Sequence, residues 1–204
     1  MSATAPPIVL YTDLISPFGY LGALGLRPIA AKHGRGIDWR PFLLGVTVMQ
    51  VMGLPPVPET PLKGPYAAHD CARCFRLMGV PYNPPPGRQM QPLPANRALA
   101  WLRERDPALA IEFGLAVAGA HWSQGRDMST VEAVAEVGEG LGIPAAEVAA
   151  AVADPAVKAR LRAHVEAAVA RGVFGAPSFD VDGELFWGHD RLGMVDRWLE
   201  TGGW

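Results

Sequence analysis

Cysteine is scarce in this chain of 204 residues. There are two, and both fall in one Cys-x-x-Cys, Cys71 and Cys74. A small secreted scaffold stapled by disulfides is thereby excluded. An excess of one charge is also missing. Eighteen basic side chains stand against twenty acidic ones, a formal net charge of −2, with no block of either sign. This argues against nucleic acid or an anionic membrane as a dedicated partner. No apolar run is fit to cross a membrane, which takes about 20 residues. The longest uncharged stretch, residues 41–58, is interrupted by Gly45, Gly53, Pro55 and Pro56. The N-terminus carries Asp13 early and lacks a basic region before an apolar one, so it does not read as a secretory signal. A soluble, cytoplasmic protein is expected.

What is present is apolar. Half of the residues are hydrophobic and 19% are charged, enough for a sizeable core. The length suits one domain, or one domain carrying an insertion. The 23 Gly and 20 Pro exceed the usual ~7% and ~5% but follow no period, which excludes a collagen-like chain.

Residues 8–11 form a short β-rich run and read as a buried strand. Ser16-Pro17 follows, an N-cap residue with Pro at the first helical position, which predicts a helix over 17–32. Residues 37–42 read as a second strand, parallel to the first because a helix separates them. From 43 to 171 the pattern is helical. Helices are predicted over 60–78, 95–105, 108–122, 129–142, 144–153 and 155–171, with a Pro-rich loop at 84–94. The 108–122 segment is apolar nearly all round and should be buried. Ser129 with Glu132 reads as a capping box. Val157, Leu161, Val165 and Val169 form an i, i+4 stripe. Residues 178–181 and 184–187 flank Asp182-Gly183 as a hairpin, and 190–199 reads as a last helix. Without the helical stretch, βαβ–ββα remains. That is the thioredoxin order, an α/β thioredoxin-like fold with a large all-helical insertion.

Several positions could carry chemistry. Where a thioredoxin-like fold would place Cys-x-x-Cys, this chain reads Ser16-Pro17-Phe18-Gly19, so dithiol chemistry is excluded there. A hydroxyl at a helix N-terminus remains, among free N–H groups and a positive dipole end that favour an anion such as a ligand's thiolate. A plain N-cap accounts for Ser16 equally. Pro177, if cis to Ala176, would free backbone groups for an extended ligand. Asp190 reads either as an N-cap or as a carboxylate for an ammonium group. Lys63, Tyr66, Asp70 and Arg73 share one helix and are also explained by a solvated face. Cys71 and Cys74 lie mid-helix. With His69 they fall short of the four ligands of a closed zinc site, so packing is the expected role and no metal is expected. Asn96 reads as a cap. His33, His121 and His164 have no evident partner.

Taken together, Asp13-Leu-Ile-Ser-Pro-Phe-Gly-Tyr20, Lys63-x-x-Tyr66-x-x-x-Asp70-x-x-Arg73, Asn96, Trp122-Ser-Gln-Gly-Arg-Asp127, Gly172-Val-Phe-Gly-Ala-Pro177 and Phe186-Trp-Gly-His-Asp-Arg-Leu192 occur in register from end to end. In this the chain resembles the 2-hydroxychromene-2-carboxylate isomerase family, relatives of the kappa-class glutathione transferases in the DsbA-like branch of the thioredoxin fold. The resemblance implies a discontinuous thioredoxin-like domain, 1–43 and 172–204, around an inserted helical domain, 44–171. It also implies a homodimer with glutathione as cosubstrate.

By the same resemblance Ser16 is the catalytic residue and hydrogen-bonds the glutathione sulfur. Phe18, Ala176 and Pro177 hold the tripeptide, the last two through backbone pairing along residues 173–177. Asp190 and Arg191 address its γ-glutamyl end. Lys63, Tyr66 and Asn96 shape the side of the cleft that takes the aromatic substrate. The implied activity is cis–trans isomerisation by reversible addition of the glutathione thiolate, yielding trans-o-hydroxybenzylidenepyruvate in naphthalene-type aromatic hydrocarbon degradation. The chain departs from the family pattern at Leu93-Pro94, Ser178, the Pro-rich loop 83–92 and the two Cys. Alternatives are a kappa-like glutathione transferase of other substrate, a non-catalytic thioredoxin-like module holding a thiol or peptide, and a metal or redox sensor using Cys71 and Cys74.

Overall fold

The computed structural model describes residues 5–87 and 89–204. Among these a four-stranded sheet is built from β1 (Ile8–Thr12), β2 (Ile37–Pro41), β3 (Ser178–Val181) and β4 (Glu184–Trp187), in the order β2-β1-β3-β4. β1 and β2 are parallel, joined by α1 (Pro17–Lys32); β3 runs antiparallel to β1 and to β4. The β3–β4 turn has φ of 54° at Asp182 and 93° at Gly183, the two positive values of a type I′ hairpin. This is the expected thioredoxin-like arrangement, with its first two strands and its last two brought together across the helical stretch.

That stretch comprises α2 (Lys63–Leu77), α3 (Leu93–Arg105), α4 (Pro107–Trp122), α5 (Val131–Gly140), α6 (Ala145–Ala153) and α7 (Pro155–Arg171); α8 (Leu192–Thr201) ends the fold. Asp106 and Asp154 cap α4 and α7, accepting from Leu109 N at 3.0 Å and Ala156 N at 2.8 Å. Each satisfies an orphan donor just before a Pro that has none to offer.

The structure corrects the sequence reading in four places. Residues 43–62 hold no α-helix: they form a π-helical turn (Gly45–Val51) and a 3-10 turn (Val57–Glu59). Pro55, Pro56, Pro58 and Pro61 remove amide donors there, and Leu62 at φ 65° delays α2 to Lys63. α3 begins at Leu93 rather than 95, because Pro94 is tolerated in a first turn. α5 is capped by Thr130, which accepts from Ala133 N at 3.2 Å. Ser129 instead donates to Asp127 at 2.5 Å and accepts from Gln91 N at 2.9 Å, so no capping box forms. Before α8 comes a 3-10 turn (His189–Arg191), and Asp190 caps nothing.

Period-2 alternation puts Ile8 and Leu10 on one face of the sheet, Val9 and Tyr11 on the other. Both faces are covered. On the first, Leu26 of α1, Leu99 of α3, Phe113 and Val117 of α4 and Val195 of α8 join Trp39 and Phe179 in one core. On the second, Val165 and Ala168 of α7 pack with Tyr11, Phe42 and Val173. α4 is buried on nearly every side, as its composition requires. Each large side chain so buried contributes about 1.5–3 kcal/mol. No helix among the described residues is long and apolar enough to cross a membrane.

One close approach ties α1 to the segment before β3. A Cβ on Gly22 would lie 2.6 and 2.8 Å from ring atoms of Pro177 and 3.2 Å from Phe179. A proline ring cannot swing aside. Gly22→Ala is expected to lower stability by about 1–3 kcal/mol, read as a lower urea midpoint. Gly193→Ala, with open space at its Cβ, should be neutral or slightly stabilising; equal midpoints for the two variants would contradict this packing.

Candidate functional site

The site is built where β1 gives way to α1. Ser16 sits in extended conformation at the N-cap, and its Oγ accepts from Gly19 N at 3.0 Å. The same hydroxyl donates to the Ala176 carbonyl at 3.3 Å. That is long for an O–H···O bond, whose usual value is about 2.7–2.8 Å, so an incoming anion can compete for the hydrogen. Pro17 has no N–H, and the Phe18 N–H has no acceptor among the described residues. A helix head with a free donor and a hydroxyl on a weak bond is an anion site in chemical terms.

The Ala176–Pro177 bond is cis. Ser178 Oγ donates to Gly175 O at 2.8 Å, and Gly188 N donates to Pro177 O at 2.9 Å, fixing the segment on both sides. The expectation that the Ala176 carbonyl is free is corrected: it takes the Ser16 hydroxyl.

The rim is aromatic and acidic. Phe18 stacks on His189, with ring centroids 5.1 Å apart and planes 16° from parallel. Behind Phe18, α2 packs Cys71, Cys74 and Phe75 against Leu21 and Tyr82. The charges of Asp70 and Asp190 both reach His189 and the Cys74 thiol. Each also holds an arginine: Arg73 at 2.6 Å from Asp70, Arg191 at 2.9 Å from Asp190. Arg191 further lines a surface hollow of about 310 Å³ between β4 and α8, with Trp187, Trp198 and Trp204. Lys63 and Tyr66 stand exposed on the first turn of α2, with no hydrogen bond to any residue of the site.

Cys71 is buried, and burial pushes its thiol up to about 11. Burial also raises the Cys74 thiol, and the charge of Asp70 adds to it. Both stay protonated at neutral pH, the state of packing residues rather than of reactive thiols. Among the described residues no group of three or more His, Cys, Asp or Glu could hold a metal ion.

Asn96 is placed differently from the sequence reading. It is fully buried and caps no helix; Pro92 holds the N-cap position of α3. Its Nδ2 donates to Asp13 Oδ1 at 2.6 Å, and its Oδ1 accepts from Leu14 N at 3.3 Å. It supports the site from behind instead of lining a cleft. Asp13, quoted in the sequence motif without a role, completes this support. Its buried carboxylate also accepts from Leu44 N at 2.9 Å and Ile15 N at 3.3 Å. The sequence signal is a carboxylate three residues before Ser16, but its distant partners lie 31 and 83 positions away.

A family model described as a DSBA-like thioredoxin domain matches residues 7–200. The chain belongs to the DSBA-like thioredoxin family. Within it, the chain is 30% identical over 193 residues to a protein of Sphingobium xenophagum named 2-hydroxychromene-2-carboxylate isomerase, covering 94% of this chain and 97% of that one. It is 24% identical to human glutathione S-transferase kappa 1, over 94% of this chain and 92% of the relative. A solved structure of 2-hydroxychromene-2-carboxylate isomerase superposes with a TM-score of 0.85 at 25% identity, covering 95% of this chain and 94% of that one. The family read from the motifs is thereby established.

In this DSBA-like domain the Asp13 carboxyl is raised from the ordinary 3.8 to about 6, chiefly by burial, against the lowering effect of its hydrogen bonds. A folded state that binds the proton more tightly gains stability as pH falls from about 6 to 4 and loses it as pH rises. Two units correspond to about 3 kcal/mol. His164, lowered from 6.5 to about 4 by burial and Arg103, works the opposite way in the same window. The test is therefore a difference. Wild type minus Asp13→Asn, from urea midpoints, should grow as pH is lowered from 7 to 4.5, and a constant difference would contradict the shift.

Proposed function

We propose that this protein is a glutathione-dependent cis–trans isomerase of 2-hydroxychromene-2-carboxylate or a similar ring-opened aromatic keto acid. The observation that carries the reading is the Ser16 hydroxyl, buried at a helix head and held to Ala176 by a long bond of 3.3 Å. An isomerase-like enzyme is supported by relatives so named at 25% and 30% identity over nearly the whole chain. Use of glutathione is suggested by the kappa-class relative.

Glutathione supplies the nucleophile: its thiolate adds to the conjugated carbon, electrons move onto the keto group, the former double bond turns, and loss of the thiolate restores it in the trans form. Ser16 is the catalytic residue in this scheme. Its hydroxyl leaves the Ala176 carbonyl and donates to the sulfur, while the Phe18 N–H and the α1 dipole favour the anion. The Phe18 ring, Ala176 and Pro177 bound the tripeptide. Asp190, with Asp70 nearby, receives its ammonium group, and Arg191 orients Asp190. Lys63 and Tyr66 face the keto-acid substrate from α2. Asn96 holds the loop beneath.

The catalytic unit in this reading is 1–43 with 172–204, around the helical segment 44–171, in a cytoplasmic homodimer serving aromatic hydrocarbon degradation of the naphthalene type. A kappa-like transferase of other substrate is the second reading, favoured by the 24% identity to the human enzyme.

The test is conversion of 2-hydroxychromene-2-carboxylate with and without glutathione. Turnover should require glutathione, and Ser16→Ala should lower kcat on the order of 100-fold. Conjugation in place of isomerisation would select the transferase; binding without turnover would select the non-catalytic module. Equal rates without glutathione, or an unimpaired Ser16→Ala enzyme, would overturn the proposal.

A further inference from the structure

The loop that presents Ser16 is held by more hydrogen bonds from distant elements than from its neighbours. Trp39 Nε1 of β2 donates to Thr12 Oγ1 at 2.7 Å. Trp122 Nε1 of α4 donates to Leu14 O at 3.3 Å. Asn96 of α3 both donates to Asp13 and accepts from Leu14 N, bracketing the loop from two sides. Leu44 N, at the entry to the helical segment, closes on the second carboxylate oxygen. Asp13 then passes this restraint on through its own main chain, since its carbonyl accepts from Ser16 N at 2.9 Å.

A charge is an unusual choice for this task. A buried carboxylate costs several kcal/mol to desolvate, and among the described residues no cation offsets it. The side chains that reach the loop, Trp39, Asn96 and Trp122, carry no charge, and among the described residues no charged group acts on Asp13. What a carboxylate offers is acceptors only, on both oxygens. It is thus matched to the three donors that converge from α1's approach, the helical segment and α3.

We propose that Asp13, oriented by Asn96, is the positioning residue of the reaction: it sets where the Ser16 hydroxyl stands relative to the Ala176 carbonyl and the head of α1. The proposal rests on Ser16 being the catalytic residue. It gives the pair a role that stability alone does not demand. Protonation relieves the burial cost, and so favours the fold as a whole. It also puts a donor on an oxygen faced only by donors, and so loosens the loop. Activity and stability then respond to acid in opposite directions.

The experiment is the pH dependence of glutathione-dependent kcat in wild type, Asp13→Asn and Asn96→Ala. Wild-type kcat should fall as pH drops through about 6, following Asp13. Asp13→Asn places an amide donor against a backbone donor at every pH. It should lose at least roughly tenfold in kcat, with KM for glutathione changed less than twofold, and should keep only the acid limb set by the bound glutathione thiol. Asn96→Ala removes a bond that lowers the Asp13 pKa, so its acid limb should move to higher pH. If Asp13→Asn does not fold, the Asn96→Ala limb decides. A wild type without an acid limb, or a limb unmoved in Asn96→Ala, overturns the proposal. A wild type indifferent to glutathione overturns the underlying reading instead, so the two failures are distinguishable.

Discussion

A carboxylate taken out of water, with no cation beside it among the described residues, is the constraint around which this structure is arranged. Asp13 can be ionised inside the fold only if every oxygen lone pair in reach finds a donor. Those donors come from Ile15, Leu44 and Asn96. They belong to the loop itself, to the exit of β2 and to α3. Satisfying one side chain therefore brings the strand–helix junction, the sheet and the helical segment to one point. Ser16 follows from that point, through its own N–H to the Asp13 carbonyl.

The chemistry available there is that of a hydroxyl where related folds use a thiol. Serine at a helix head is a poor nucleophile but a good partner for a sulfur anion brought by a ligand. The chain's own sulfurs do not compete. Cys71 and Cys74 are packed against α1, with thiols raised by burial. The acidic rim of Asp70 and Asp190 suits an ammonium group. Phe18 on His189 and the fixed Pro177 segment give the site walls that do not depend on the ligand.

Much of the fold is legible in the sequence because its signals are local. Ser16-Pro17 marks the start of α1, and Asp182-Gly183 marks a type I′ turn between alternating strands. A helix apolar all round, α4, must be buried. The misread places are those where local signals compete or distant contacts decide. Ser129 and Thr130 are both good caps, and Ser129 is drawn away by Asp127 and Gln91. Residues 43–62 have apolar content that suits a helix and prolines that forbid one. Asp190 admits two local readings, and the 3-10 turn leaves it on the surface with Arg191. The site is half legible. Ser16 and Pro177 announce themselves by position. The roles of Asp13 and Asn96 rest on a contact across 83 positions, which no periodicity encodes. Ala176 reads as offering both backbone groups because its partner, Ser16, lies 160 residues away.

The central claim is that the head of α1, through Ser16, holds glutathione as a thiolate. It is tested most directly by titrating the ultraviolet thiolate absorbance of glutathione bound to wild type and to Ser16→Ala. The bound thiol should ionise at lower pH than free glutathione, and the midpoint should move back toward the free value in Ser16→Ala. A thiol that titrates on the wild-type protein as it does in water would contradict the claim.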